Sequence, residues 1–243
     1  MAEVAAAEGI DLAASPVAKL VVAGEPGGSI PATRQRIEQA WGARVYDHTG
    51  MTEIGPLGFE CEQAPGGVHL IESECIAEVI DPATGRAVAD GEPGELVLTN
   101  LGRCDSPLIR YRTNDQVRIT RGRRCACGRW FARMEGGILG RIDDMVVVRG
   151  NNIFPASLEA IIRRFESVAE FRVQIVEDAG SLTRLHVELE PANGADSTQL
   201  TRQVARAIQD ALNFRADVHA VAAGSLPRFD IKARRFTRTT RRT

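Results

Sequence analysis

The sequence predicts an α/β (α+β) protein, a β-rich body followed by a small β-α-β-β-α-β domain, and three observations carry that prediction. The opening segment runs strand, helix, strand between Val17 and Val45. Residues 68–121 break into short, β-rich pieces of alternating character. Beyond the glycine-flanked GGILGR at 136–141, apolar runs alternate with stretches at helical spacing.

Taken in order, VAKLVVA (Val17 to Ala23) is a short apolar run that stops at GEPGG, as a buried strand entering a tight turn does. Pro31 opens a helix to about Ala40, with Ile37 and Trp41 on one face, before a brief strand near Val45. VHLIE, CIAEVID, GELVLTN, LIRYRT and QVRIT then read as strands of an antiparallel β subdomain. After residue 141 come a strand (MVVVRG), a helix from Pro155, the strands EFRVQIVE and TRLHVELEP, a second helix and a last strand, ADVHAVAAG. Leu200, Val204, Ile208 and Leu212 recur every four residues, so one stripe of the second helix is buried on a sheet. The expected domains are 1–141 and 142–243, with a basic tail from Arg228 expected to end in solvent.

Composition narrows the function. With 30 basic and 32 acidic residues the net charge is −2, which removes the electrostatic case for nucleic acid as a partner. No apolar run approaches the roughly 18 residues of a membrane span, and the start lacks the basic and apolar regions of a signal peptide. A cytoplasmic protein with no membrane partner is expected. Only Lys19 and Lys232 are lysines, so a lysine here is a choice of amine over guanidinium. In YDHTGMTE (Tyr46 to Glu53), backbone amides and Thr52 could hold a phosphate and Glu53 a Mg²⁺; a plain capped turn is the other reading.

YDHTGMTEIGP resembles the D-x-YG-x-[ST]-E-x-G motif of the adenylate-forming superfamily, and four further segments resemble its other motifs in the same order. GEPGG is similar to the GxEP loop, IRYRTNDQ to the Y-R-T-x-D segment, GRIDDMVVVRGNNIFPASLE to the hinge, and GSLPRFDIKARR to the P-R-x-x-G-K-x-x-R lysine loop. The wording PLIRYRTND, DDMVVVRGNNIFP and CACGR resembles the phenylacetate–CoA ligase branch.

The resemblance implies a partial adenylation large domain (1–141) followed by a mobile C-terminal AMP-binding-enzyme domain (142–243). It implies ATP-dependent formation of an acyl-adenylate from an aryl or related carboxylic acid, then transfer to coenzyme A. Carried over by position, Glu25 and Pro26 line the adenine and acyl pocket, and Tyr46, Asp47 and Thr49 lie on the nucleotide side. Thr52 meets the adenylate phosphate and Glu53 binds Mg²⁺. Asp115 accepts both ribose hydroxyls, Arg141 sits near ribose and phosphates, Asp143 marks the hinge, Gly150 lines the pantetheine path, and Lys232 is the catalytic cation. Two positions depart from the motifs: Thr49 replaces the adenine-stacking aromatic, and Ile231 replaces the glycine before the lysine. Nothing resembles the family's upstream phosphate loop. The expectation is therefore a truncated or split downstream half, inactive alone and associating with itself or with an N-terminal-half polypeptide. The alternative class is a non-enzymatic, zinc-containing binding module derived from such a ligase.

The five cysteines support a separate reading. Cys61, His69, Cys125 and Cys127 supply three thiolates and an imidazole, a tetrahedral zinc set if the strands bring them together. The alternative is reduced core thiols with His69 exposed. Cys75 and Cys104 read as packing residues.

Overall fold

The computed structural model describes residues 2–241 apart from 25–27, Ser29, 149–150, 179–182 and 230–233. The chain divides into two compact units, Met1–Asp143 and Asp144–Thr243.

The first unit begins with α1 (Ala2–Ala7) and a 3-10 turn (Leu12–Ala14), followed by β1 (Lys19–Val22), α2 (Pro31–Trp41), β2 (Arg44–Met51), β3 (Gly55–Glu60) and β4 (Gly67–Leu70). It continues with β5 (Cys75–Ile80), β6 (Pro93–Asn100), β7 (Tyr111–Thr120) and β8 (Arg133–Arg141). One sheet holds all eight strands in the order β1-β2-β3-β4-β8-β7-β6-β5. Only β1 and β2 run parallel within it. Leu57, Leu70, Leu96, Leu98, Ile119 and Met134 form its core, each withdrawn from water on alternate strand positions. Pro31 stands in the first turn of α2, where its missing N–H costs nothing, and Gly42 ends the helix at φ 59°.

Several sequence expectations change here. The buried strand expected at Val17–Ala23 is a four-residue edge strand whose Val21 is 71 % exposed, because β2 alone flanks it. YDHTG lies inside β2, and the turn falls at residues 52–54. The end of LIRYRT, from Tyr111, and QVRIT fuse into β7, because the left-handed Asn114 (φ 59°) absorbs a bulge against β6 that the sequence suggests as a break. Strands β3 and β8 were not expected at all. Their glycines conceal the alternation that marks a strand, and β8 carries Gly136 and Gly137 at positive φ.

The second unit contains β9 (Val146–Val148), β10 (Asn151–Ile153), α3 (Pro155–Ile162), β11 (Val168–Asp178), β12 (Arg184–Pro191), α4 (Ser197–Leu212), β13 (Asp217–Ala220) and β14 (Phe236–Arg241). Asp196 caps α4 by accepting from the N–H groups of Thr198 and Gln199, and Asn213 closes it in the left-handed region. Leu200, Val204 and Ile208 on its inner stripe join Phe171, Val173, Val187 and Leu189 in one core.

The element order contains the expected β-α-β-β-α-β run, with β10 and β14 added to it, and the main sheet has the order β13-β12-β11-β14. MVVVRG contributes β9, which pairs with β10 as a separate two-stranded ribbon. The place beside β11 goes to β14, drawn from the tail expected to lie in solvent. Charge pairing and an aromatic contact hold the tail there. Arg228 forks onto the buried Glu190 and Arg235 onto Glu170, while Phe236 meets Phe171 edge-on at 6.1 Å.

These forks set an acid limit. Hydrogen bonds from Arg228 hold the Glu190 carboxyl at about 2, against 4.5 ordinarily. Burial raises Glu170, but hydrogen bonds from Arg235 and the Phe171 N–H more than offset it, so it too lies low. A depressed carboxylate stabilises the fold above its unfolded pKa and loses that contribution as pH falls through its folded pKa. Denaturant midpoints of the full chain are therefore expected to fall between pH 4.5 and about 2. Glu190→Gln should flatten that profile and cost about 2 kcal/mol at neutral pH. A wild-type midpoint independent of pH in that window would contradict the assignment.

Candidate functional site

The buried Glu60, at the end of β3, organises the first group of motif residues. Its Oε2 accepts from the Arg34 guanidinium and from the Asp47 N–H at 2.7 Å, and its Oε1 accepts from the Gly66 N–H at 2.6 Å. Arg34, on α2, also donates to the carbonyls of Val45 (2.9 Å) and Gly28 (3.1 Å). One guanidinium thus ties the end of the GEPGG loop to the strand carrying YDHTG. A β-carbon at Gly28 would lie 2.9 Å from the Asp47 carboxyl, so the two segments approach as closely as glycine allows.

Along β2, Tyr46 receives the Lys19 ammonium 5.7 Å from its ring centroid. Thr49 is buried opposite Gly58. Gly50 follows at a bulge, where a β-carbon would meet the Gly55 carbonyl at 2.8 Å. Thr52 and Glu53 then lie exposed in the connecting turn. Arg103 clamps that turn by donating to the Thr52 and Glu53 carbonyls at 2.8 and 3.3 Å.

A second group forms where β7 meets β8. Asp115 is buried and registered opposite Arg141, with 3.6 Å between carboxylate and guanidinium. Arg141 also forks onto Asp143 at 2.9 and 2.8 Å. Burial pushes the Asp115 carboxyl up and the nearby Asp143 charge adds to this, while Arg141 and the Thr113 hydroxyl oppose. The backbone beside it is fixed by Asn114, whose carbonyl accepts from the Ile142 N–H at 2.7 Å and whose N–H donates to Glu95 at 3.4 Å. Glu95 is fully buried and is itself gripped by Arg112. Asp115, on backbone anchored in this way, is a carboxylate with two acceptor oxygens, a donor-accepting pattern that suits a vicinal diol.

The third group is the thiol cluster. Cys61 follows β3, His69 lies on β4, and Cys125 and Cys127 sit on the loop between β7 and β8. One donor atom from each lies within 4.8 Å of the other three. Cys61 Sγ and Cys125 Sγ are 3.7 Å apart, and Cys127 Sγ is 3.5 Å from His69 Nε2. A tetrahedron with Zn–S near 2.3 Å and Zn–N near 2.05 Å has edges of about 3.8 Å and 3.6 Å, so the donor set fits zinc. Gly128 (φ 88°) closes the loop, with its N–H on the Cys125 carbonyl and the Cys125 N–H on the Arg129 carbonyl. Burial raises Cys127, yet hydrogen bonds from the Arg129 backbone and guanidinium and from the other thiols bring it down to about 6. Cys61 is pushed up by burial and by its thiol neighbours. His69 is fully buried, which removes the alternative of an exposed histidine. Gly58 permits this burial, since a β-carbon there would meet the His69 carbonyl at 2.6 Å. Cys75 is a buried packing residue, but Cys104 is not, because it stands on the exposed loop after β6.

Of the residues singled out from the sequence, Glu25, Pro26, Gly150 and Lys232 lie outside the described residues. Glu60, Arg34, Glu95, Asn114 and Arg103 went unnoticed in the sequence, although all five hold site backbone. A glutamate at an inward position of an apolar strand, as in GELVL, is the signal that finds Glu95.

Residues 150–239 match the family described as the AMP-binding enzyme C-terminal domain. The phenylacetate-coenzyme A ligase of Escherichia coli (strain K12) is 34 % identical over 210 residues, covering 83 % of this chain and 47 % of that protein. The enzyme of the same name from Pseudomonas putida is 34 % identical over 208 residues, 82 % of this chain and 46 % of that protein. Among solved structures, a 2-hydroxyisobutyryl-CoA ligase in the postadenylation state, in complex with 2-HIB-AMP, aligns with a TM-score of 0.90 at 34 % identity. That match covers 98 % of this chain and 52 % of the ligase. The chain spans about half the length of the relatives it matches, and it belongs to the phenylacetate–CoA ligase family of adenylate-forming acyl-CoA ligases.

Proposed function

We propose that this chain carries part of the nucleotide and coenzyme A machinery of an acid–CoA ligase of the phenylacetate type. The observation that carries the reading is Asp115, a buried carboxylate pointed by a kinked, doubly anchored backbone and set beside Arg141. In the reaction, an aryl carboxylate oxygen bonds to the α-phosphorus of ATP as the bond to pyrophosphate breaks. The thiol of coenzyme A then bonds to the carbonyl carbon, loses its proton, and AMP leaves. Asp115 accepts the ribose hydroxyls, and Arg141 meets ribose and phosphate oxygens. Tyr46, Asp47 and Thr49 flank the nucleotide from β2, with Glu25 and Pro26 completing the adenine and acyl side. Thr52 reaches the α-phosphate, and Glu53, exposed beside it, is the oxygen donor for Mg²⁺. That ion would neutralise phosphate charge. Asp143, the last residue of the first unit, is the hinge position, and Gly150 lines the path of the pantetheine arm. A polypeptide matching the part of the relatives that this chain does not span, or a second copy of this chain, is the proposed partner, and the exposed edge β1 offers it a place. The reading also puts the protein in the reducing cytoplasm, where its five cysteines stay out of disulfides.

Binding of a phenylacetyl sulfamoyl adenosine mimic tests the reading without requiring turnover. Wild type should bind it saturably, and Asp115→Ala should bind about 10- to 100-fold more weakly, the effect of losing charge-assisted hydrogen bonds. Equal affinity, or no saturable binding by wild type, would favour a non-enzymatic module, for which buried Thr49 in place of a stacking aromatic already argues.

Lys232 is the proposed catalytic cation, since a flexible ammonium follows the charge developing between carboxylate and α-phosphate better than a planar fork does. Pyrophosphate release is measured with ATP, Mg²⁺, coenzyme A and a panel of aryl acids, with and without a polypeptide corresponding to the part of the relatives that this chain does not span. Lys232→Ala should lower it at least about 100-fold with an unchanged melting temperature. An active Lys232→Ala variant would refute the role.

Cys61, His69, Cys125 and Cys127 are proposed to hold one structural zinc, with all four positions filled by protein and none open to water. One zinc per chain should survive dialysis against a chelator. The Cys125→Ser, Cys127→Ser double variant should lose it and melt at lower temperature. Full zinc content in the double variant would sink the assignment.

A further inference from the structure

The open face of the second unit's sheet carries a cluster that the ligase chemistry does not use. Along β12, Leu185, Val187 and Leu189 turn into the core, as Val218 does on β13. The alternating residues therefore project from the other face. His186 on β12 is registered beside Asp217 on the parallel edge strand β13, and His219 follows Asp217 by two residues on the same face. One donor atom from each of the three lies within 4.8 Å of the other two. His186 Nδ1 is 3.3 Å from the Asp217 carboxylate, and the two side chains are 32 % and 63 % exposed. Glu188, opposite His219 in register, is taken up by an ion pair with Arg172, so that arginine's charge is already met.

We propose that His186, Asp217 and His219 form a second metal site, for a divalent transition-metal ion of the zinc, nickel or copper kind. The physical case has three parts. The two imidazoles are borderline donors that favour these ions over Mg²⁺ or Ca²⁺, and the carboxylate adds a charged oxygen ligand that the same ions accept. With both imidazoles neutral the set carries one negative charge, so the dication enters without competing against a fixed positive group within the set. The parallel register and the two-residue strand repeat place all three donors on one surface, so rotamer adjustment alone closes them around an ion. Three protein donors leave a fourth position open to water or a small anionic ligand, unlike the closed thiolate set. An ion held there would cross-link the edge strand β13 to β12. This inference stands independently of the ligase reading and of the thiolate zinc.

The test uses the full chain equilibrated with buffered free zinc, bound metal being counted per chain. Wild type should hold one zinc more than His219→Ala, and His186→Ala and Asp217→Asn should match His219→Ala. Each variant should bind that zinc at least about tenfold more weakly, while a large excess of Mg²⁺ leaves the wild-type count unchanged. His219 is exposed on an edge strand, and an unchanged melting temperature in metal-free buffer shows that its variant folds. Because the comparison is a difference, it reads the same whether the thiolates hold zinc or not. Equal counts in wild type and His219→Ala, or displacement of the extra zinc by Mg²⁺, would overturn the site.

Discussion

The first unit depends on how Glu60 is held. A carboxylate taken out of water on β3 needs a counter-charge and hydrogen bonds to both oxygens, and the structure supplies them with Arg34 and the N–H groups of Asp47 and Gly66. Those partners come from a helix, a strand and a loop that share no sequence neighbourhood. Satisfying one buried charge therefore fixes α2 against β2, brings Gly28 to Asp47, and sets the exit of β3, from which Cys61 reaches its cluster. Removing Arg34 would leave Glu60 buried without its counter-charge, so the constraint acts on fold and site together.

The same device recurs. Glu95, Glu170 and Glu190 are buried, and each is gripped by an arginine, Arg112, Arg235 and Arg228 respectively. A planar fork can donate two parallel hydrogen bonds to a carboxylate, which an ammonium cannot do. That geometry gives a structural use to the chain's preference for arginine and leaves lysine for positions where a point charge is wanted. Glu95 also supports Asn114, so the left-handed kink beside Asp115 is maintained by a second buried carboxylate. In the second unit the forks decide topology, since Arg228 and Arg235 draw the tail onto the sheet and Phe236 follows into the edge of the core.

The site was unevenly legible. Cys125 and Cys127 announce themselves by spacing and by the glycine that turns their loop. Cys61 and His69 become partners only because β3 and β4 are adjacent, with Gly58 letting the backbones close. Asp115 stands out in YRTND, but its burial and its pairing to Arg141 depend on β8, a strand whose glycines hide it. His186 and His219, 33 residues apart in the sequence, read as ordinary strand residues until the parallel register aligns them.

Composition and periodicity by themselves determined the mixed α/β class, the amphipathic helix from Ser197 to Leu212 and most strands of the β-rich segment, while the ligase family entered through the resemblance of its ordered short motifs. These are local properties, carried by alternation, helical spacing, caps and short runs of residue types. Tertiary structure alone decided that β14 and not β9 lies beside β11, that Tyr46 to Met51 is strand and not turn, and which arginine meets which buried glutamate. Those outcomes follow from pairings between residues far apart in the chain. The cost of leaving a charge or a strand edge unsatisfied is set by what packs around it in space, and one-dimensional sequence does not record that.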